Sequence, residues 1–394
     1  MTMPVGAANP AADASCDAVS QHLMAPVAAP EDRAQQPLVV GLQPVALVDH
    51  AARVSTAFVE SIPGERGGSV RVSPEALAQL LVGVRACPAS AAEGHSIRTL
   101  AGGSVANTLR GLASGFGVRA VMLGAAGDDD LGHMFATSMA GAGVELHRLR
   151  RKAGLTGQCV CLVDDEGGRT MRTCMQDAVR LQADELTVHD LEGAQWLAAN
   201  GYALYGAGLL ERAVALAKAA GARVCLDFAS FEVVRAFKPQ LLALLQSRQV
   251  DLCFANEDEA RELVRDLDAG QGPVCAAEAA LDVLAQWCPT VVVMLGPRGC
   301  IARTAGRQAV RIPALPNARP LDTTGAGDLF ASGFLSGLLR GRPLEECCRL
   351  GCAAGGAVIR ELGGEVGPAG WDWMRAQQAG SLAPQGAQVG AACT

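Results

Sequence analysis

Leu321-Asp322-Thr323-Thr324-Gly325-Ala326-Gly327-Asp328 opens a stretch with helical patterning that runs to about residue 339. Gly325, Ala326 and Gly327 carry little or no side chain, so successive backbone N–H groups at the start of that helix stay unshielded. Such a cradle takes an anion, and the helix dipole favours negative charge there. Asp328 follows directly. A carboxylate beside an anion cradle repels phosphate, unless its task is to take a proton. As a general base it would accept the proton of a hydroxyl attacking a phosphoryl group. Read alone, the segment fits an acid-rich helix start equally well.

Three further segments bear on the same chemistry. In Ala101-Gly102-Gly103-Ser104-Val105-Ala106-Asn107, the double glycine lets a small ligand approach the backbone, and Asn107, one turn into a helix, can point an amide at it. An ordinary strand-to-helix turn reads the same way. Asn256-Glu257-Asp258-Glu259 follows an apolar run. Asn256 is a helix cap and Glu259 stands one turn on. Both suit water held around a hydrated Mg²⁺, and both suit a helix start decorated with acids. Leu295-Gly296-Pro297-Arg298-Gly299 is a turn after a strand that can line a nucleotide. There is no Gly-x-x-x-x-Gly-Lys, hence no P-loop. The lack of Gly-x-Gly-x-x-Gly after the first strand argues against a dinucleotide-binding dehydrogenase.

Working outward, residues 37–48 read as one buried strand ending in Asp49. Strand and helix patterns then alternate: 203–205 with 209–220, 224–228 with 231–245, 251–254 with 257–267, and a helix at 276–285 before a Val-rich strand at 290–295. This rhythm predicts an α/β fold with a mostly parallel central sheet and helices on both faces. A hairpin at 157–175, turning at Asp165-Glu166-Gly167-Gly168, interrupts it. With few apolar positions, the hairpin is expected to stand off the main sheet. The Ala/Pro-rich segment 1–36 is expected to be a disordered tail, 37–375 the folded domain, and the uncharged Gln/Gly/Ala-rich 376–394 a flexible end.

The 394 residues suffice for one large or two modest domains. Forty acidic against 33 basic residues, a net charge of -7, argue against a nucleic-acid partner, which needs a basic face. Fourteen cysteines are scattered without a Cys-x-x-Cys pair. Their closest spacings are Cys159/Cys161 and Cys347/Cys348/Cys352, which read as buried thiols and not as a zinc pattern. No apolar run reaches the ~18 to 20 residues of a membrane span. The N-terminal segment lacks the pattern of a signal peptide and is too acidic for a typical transit peptide. A cytoplasmic chain without a membrane partner is expected, with organelle targeting left open.

Taken together with Asp49, the four segments resemble the PfkB or ribokinase-like family of carbohydrate and nucleoside kinases, over about residues 38–364. The resemblance implies a ribokinase-like fold with a small β lid that includes about 157–175. It implies an ATP-dependent kinase that phosphorylates a hydroxymethyl group of a sugar or of a nucleoside ribose. Asp328 would be the base, and Gly325, Ala326 and Gly327 the anion hole. Asp49, Gly102, Gly103 and Asn107 would bind the acceptor. Asn256, Gly296, Gly299 and Thr323 would lie at ATP, and Glu259 would hold Mg²⁺ through water. Asp322 matches a position that helps hold a monovalent cation, K⁺, in some members. Lid edges pair into dimers in this family, so a homodimer is open. Two departures stand out. The stretch between Asp49 and Gly102 is long, as in the adenosine-kinase branch, and its Ile62-Pro63-Gly64-Glu65-Arg66-Gly67-Gly68 has no counterpart in the family picture. Few aromatic residues lie near the lid to stack on a base, which leans slightly toward a sugar. The rival reading is a catalytically silent member kept for binding or scaffolding, against which the intact Asp328 and anion-hole residues argue.

Overall fold

The run 37–48 folds as two strands, not one. β1 (Leu38–Gln43) stops before Pro44, and β2 (Leu47–Arg53) begins a second sheet. Proline offers no N–H to a ladder and fixes φ, so the chain leaves the first sheet there. Asp49 therefore lies inside β2 and does not end the first strand. The computed structural model describes residues 37–87, 97–265, 276–316 and 320–381.

The main sheet has nine strands. With β1 it contains β5 (Arg119–Gly127), β6 (Glu145–Lys152), β9 (Trp196–Asn200), β10 (Arg223–Asp227), β11 (Leu252–Asn256), β12 (Thr290–Met294), β13 (Cys300–Thr304) and β14 (Val310–Ile312). Their order is β14-β13-β12-β11-β10-β9-β1-β5-β6. All neighbours run parallel except β12/β13 and β13/β14. Alternate β1 residues enter cores on opposite faces: Val40 and Leu42 in one, Val39 in the other. This is the ribokinase-like α/β fold expected from the sequence. Three local readings fail. Residues 203–205 belong to a 3₁₀ turn, Gly201–Tyr205, and the strand is β9, whose alanines give it little intrinsic strand preference. β6, Glu-Leu-His-Arg-Leu-Arg-Arg-Lys, was not expected at all; its charges suit a sheet edge. The antiparallel extension by β13 and β14 was also missed.

The second sheet is the lid, ordered β3-β8-β7-β2-β4, with β3 (Ser69–Arg71), β4 (Arg98–Gly102), β7 (Gly157–Val163) and β8 (Arg169–Cys174). The hairpin does stand off the main sheet, but it is not poor in apolar positions. Val160 and Leu162 of β7 are fully buried in a small core with Val54, Val59, Leu77 and Val84. The segment 62–68 finds its place here. Arg66 pairs with Asp164 at 2.8 Å and Glu166 at 2.6 Å, and the Gly67 N–H donates to Thr170 Oγ1 at 2.9 Å. It fastens the β7–β8 turn.

The expected tail 1–36 lies outside the described residues, as does 382–394; the helix Pro368–Ser381 runs past residue 375. Among the described residues no helix is long and apolar enough to cross a membrane. The eleven described cysteines are all buried and unbridged.

Candidate active site

Asn200, Asp227, Asn256 and Met294 end β9, β10, β11 and β12. In a parallel sheet those carboxyl ends open onto a crevice where ligands bind. A cavity of about 330 Å³ lies there, closed on the far side by the lid residues Asp49, Cys159, Arg169 and Met171.

The segment 323–328 forms one wall. Gly325 takes a left-handed φ of 76° to start the helix Ala326–Leu339, and a Cβ on it would lie 2.8 Å from Gly364 Cα. The first turn of that helix presents N–H groups without helical partners toward the cavity. The buried Thr324 hydroxyl also has no partner in the protein. An unshielded cradle with an orphaned hydroxyl is what a phosphate oxygen would satisfy. At its end stands Asp328, whose Oδ1 accepts from Ser104 Oγ at 2.6 Å and whose Oδ2 accepts from Asn107 Nδ2 at 2.9 Å. Burial raises the Asp328 carboxyl above its ordinary range, while the two donors and the Arg169 charge pull it back. The sequence reading aimed the Asn107 amide at a ligand; here that amide orients Asp328. Thr323 turns its N–H and Oγ1 to the Gly167 carbonyl, at 3.3 and 3.2 Å, tying the lid turn to the cradle. Asp322 is fully buried outside the cavity, accepting from the N–H groups of Thr324 at 2.8 Å and Gly363 at 2.7 Å. It braces the turn from beneath.

Asp49 also lines the cavity. Gly102 packs on it so closely that a Cβ would sit 2.1 Å from its carboxyl carbon. Gly103 has φ 95° and leaves room for Gln43, whose side chain spans from Gly102 O (3.3 Å) to Ala106 N (2.9 Å). Both glycines thus shape the pocket floor, although only Gly103 lines it. Burial, offset by Arg110, pushes the Asp49 carboxyl up to about 7.

A group of acids lines the same cavity. Asn256 and Glu259 form a reciprocal capping box: Glu259 N–H donates to Asn256 Oδ1 at 2.9 Å, and Glu259 accepts from Asn256 N at 2.9 Å and Nδ2 at 2.6 Å. The cap reading is therefore realised, yet the same carboxyl also lines the cavity. Burial pushes Glu259 up to about 8 and Asp227 up to about 7, each further raised by a neighbouring carboxylate. Arg169 offsets this only in part, so buried carboxyl oxygens remain that fit an oxygen-seeking divalent cation. Gly296 lines the cavity, whereas Gly299 does not; its φ is 88° and a Cβ would meet Ile312 O at 1.9 Å, so it serves the turn itself.

Sequence reasoning missed Asp227, Arg169 and Tyr202. Asp227 and Asn200 carried a usable signal, a polar residue ending a short apolar run. Arg169 had none: it reaches the cavity only because β8 folds over it, facing the charges of Asp328 and Glu259. Tyr202 and Tyr205, the only two tyrosines, both line the cavity from the 3₁₀ turn and not from the lid.

Comparison with known proteins bears on this arrangement. The profile described as pfkB family carbohydrate kinase matches residues 78–368. The adenosine kinase of Schizophyllum commune is 27% identical over 286 residues, 68% of this chain and 82% of that one. The structure of adenosine kinase from Sinorhizobium meliloti superposes with a TM-score of 0.77 at 27% identity, covering 87% of this chain and 99% of that chain. A probable sugar kinase from Rhizobium etli CFN 42 gives a TM-score of 0.77 at 26% identity over 88% and 99% of the two chains.

Proposed function

The chain belongs to the pfkB family of carbohydrate kinases, a phosphotransferase family acting on sugars or nucleosides, and on that premise we propose that it phosphorylates the ribose hydroxymethyl of a nucleoside, with Asp328 as the general base. The observation that carries the reading is the pairing of Asp328, held by Ser104 and Asn107, with the anion cradle one turn wide at its side. The acceptor hydroxyl gives its proton to an Asp328 oxygen as its own oxygen attacks the terminal phosphorus of ATP, and the bond from that phosphorus to the bridging oxygen breaks, so that ADP leaves with the electron pair. The cradle N–H groups and the Thr324 hydroxyl meet the charge on the transferred group. Arg169 adds a cation from the lid. Asp49 accepts hydrogen bonds from acceptor hydroxyls. Glu259, with Asp227, would hold Mg²⁺, which supplies neutralisation of phosphate charge when bound. Lid residues over the cavity exclude water, the competing acceptor.

The preference for a nucleoside reverses the slight lean toward a sugar. Val45, Leu47, Met171, Met175 and the tyrosine rings line the cavity, an apolar wall that a planar base covers and a lone sugar leaves bare. The adenosine kinases among the relatives support this, and the probable sugar kinase keeps the second reading alive. An ADP-release assay with Mg-ATP and adenosine, inosine, cytidine, ribose and fructose separates them. Turnover with a nucleoside at least tenfold above either sugar is expected; a sugar preferred over every nucleoside would overturn the acceptor assignment.

A further inference from the structure

Cys159 and Cys161 of β7 contribute nothing to phosphoryl transfer, yet their placement is specific. Strand residues two apart share a face, so both thiols point the same way. The parallel β2–β7 register sets Asp49 beside Cys159 and Ala51 beside Cys161. The two sulfurs lie 3.8 Å apart, and they and an Asp49 oxygen all fall within 4.8 Å of one another. All three residues are buried. Thr173 donates its hydroxyl to Cys159 Sγ at 3.2 Å, the kind of outer contact that orients a sulfur ligand. The charges facing the cluster are the acids Asp49, Asp322 and Asp328 and the cations Arg110, Arg169 and Arg172. Arg110 also lies 3.7 Å from Glu365.

We propose that Asp49, Cys159 and Cys161 form a site for a thiophilic divalent cation such as Zn²⁺, and that its occupation excludes the acceptor. Two sulfurs and a carboxylate are a zinc donor set. Asp49 and Cys159 line the cavity, so the fourth position of a tetrahedral ion faces the acceptor space. Sulfur ligands select against Mg²⁺, which takes oxygen, so the ion used in catalysis does not fill this site. On binding, the two thiol protons leave to solvent and each sulfur donates an electron pair to the ion; nothing is oxidised. The sequence showed only a Cys-x-Cys pair, because the third ligand sits 110 residues away on a neighbouring strand. The exclusion of the acceptor rests on the role given above to Asp49, whereas the metal site does not.

The full chain, reduced and freed of metal, is titrated with Co²⁺ and then with buffered Zn²⁺. The expected result is one equivalent bound with a sulfur-to-cobalt charge-transfer absorption, displaced by Zn²⁺. Cys161→Ala and Cys161→Ser should weaken that equivalent by at least about 10- to 100-fold, the loss that even an outer-shell partner causes. Their ADP release without zinc reports that they are folded. In the parent, Zn²⁺ should raise the acceptor KM and leave kcat unchanged. A parent without the charge-transfer band, or Cys161 variants that bind as tightly as the parent, overturns the site whatever the acceptor. A band in the parent together with Zn²⁺ inhibition that does not raise the acceptor KM overturns the exclusion and with it the Asp49 role, leaving the metal site standing.

Discussion

Gly102→Ala is the substitution through which the acceptor end of the cavity can be tested without touching an ionisable group. Gly102 lies in β4 with ordinary strand backbone, so alanine brings no conformational strain. Its Cβ would nevertheless fall 2.1 Å from Asp49 Cγ, 2.1 Å from Oδ2 and 2.3 Å from Oδ1. No carboxyl tolerates that overlap, so Asp49 must rotate away from the pocket floor. Hydrogen bonds to a charged acceptor are worth ~1.5 to 3 kcal/mol each. Losing one such bond to a hydroxyl then weakens the acceptor about 10- to 150-fold, and two bonds more. ATP, which is given no bond to Asp49, should lose less than about threefold on the same scale. Isothermal titration of the acceptor and of ATP, beside thermal melting, reads all three quantities. A folded Gly102→Ala protein with unchanged acceptor affinity would refute both the placement of Asp49 and its role.

Other expectations follow from the same cavity. Arg169→Gln should lower kcat by about 10² to 10³, as removal of a donor aimed at developing charge does, while acceptor KM stays within a fewfold; equal kcat in a single-turnover assay would remove Arg169 from the reaction. Glu259→Gln should raise the Mg²⁺ concentration for half-maximal rate, and superimposable Mg²⁺ curves with a lower melting temperature would leave it as a cap. The acids also predict a pH trend. Asp49, Asp227 and Glu259 keep protons up to about 7, 7 and 8 in the folded chain, but release them near ~4 when unfolded. The folded state binds more protons in between, so stability falls as pH rises. The ligand-free protein should melt progressively lower from about pH 5 to about pH 8, and Asp227→Asn should flatten that slope; a parent whose melting temperature rises over this window contradicts it.

Much of this was legible in the sequence because motifs that bind ligands through backbone must keep glycine, cap and acid at fixed spacings. The turn 322–328, the Gly102–Gly103 pair and the Asn256/Glu259 box all fold where local chemistry puts them. What escaped depends on distant pairing. Pro44 divides an apolar run between two sheets, and only the β2–β7 register shows where Asp49 points. Arg169 and the tyrosines enter the cavity because separate elements converge there. The segment 62–68 acquires meaning through Asp164 and Thr170, about a hundred residues away. Asn107 was picked from its local motif, but its partner, Asp328, lies on a helix 221 positions later.

The central claim is that the Asp328 carboxylate takes the acceptor proton, and Asp328→Asn tests it most directly. Asparagine keeps the shape of the side chain but cannot accept that proton. With a nucleoside and Mg-ATP, the variant should release ADP ~10² to 10⁴ times more slowly than the parent, while titration finds both ligands bound with nearly parental affinity. A variant that turns over like the parent would contradict the account.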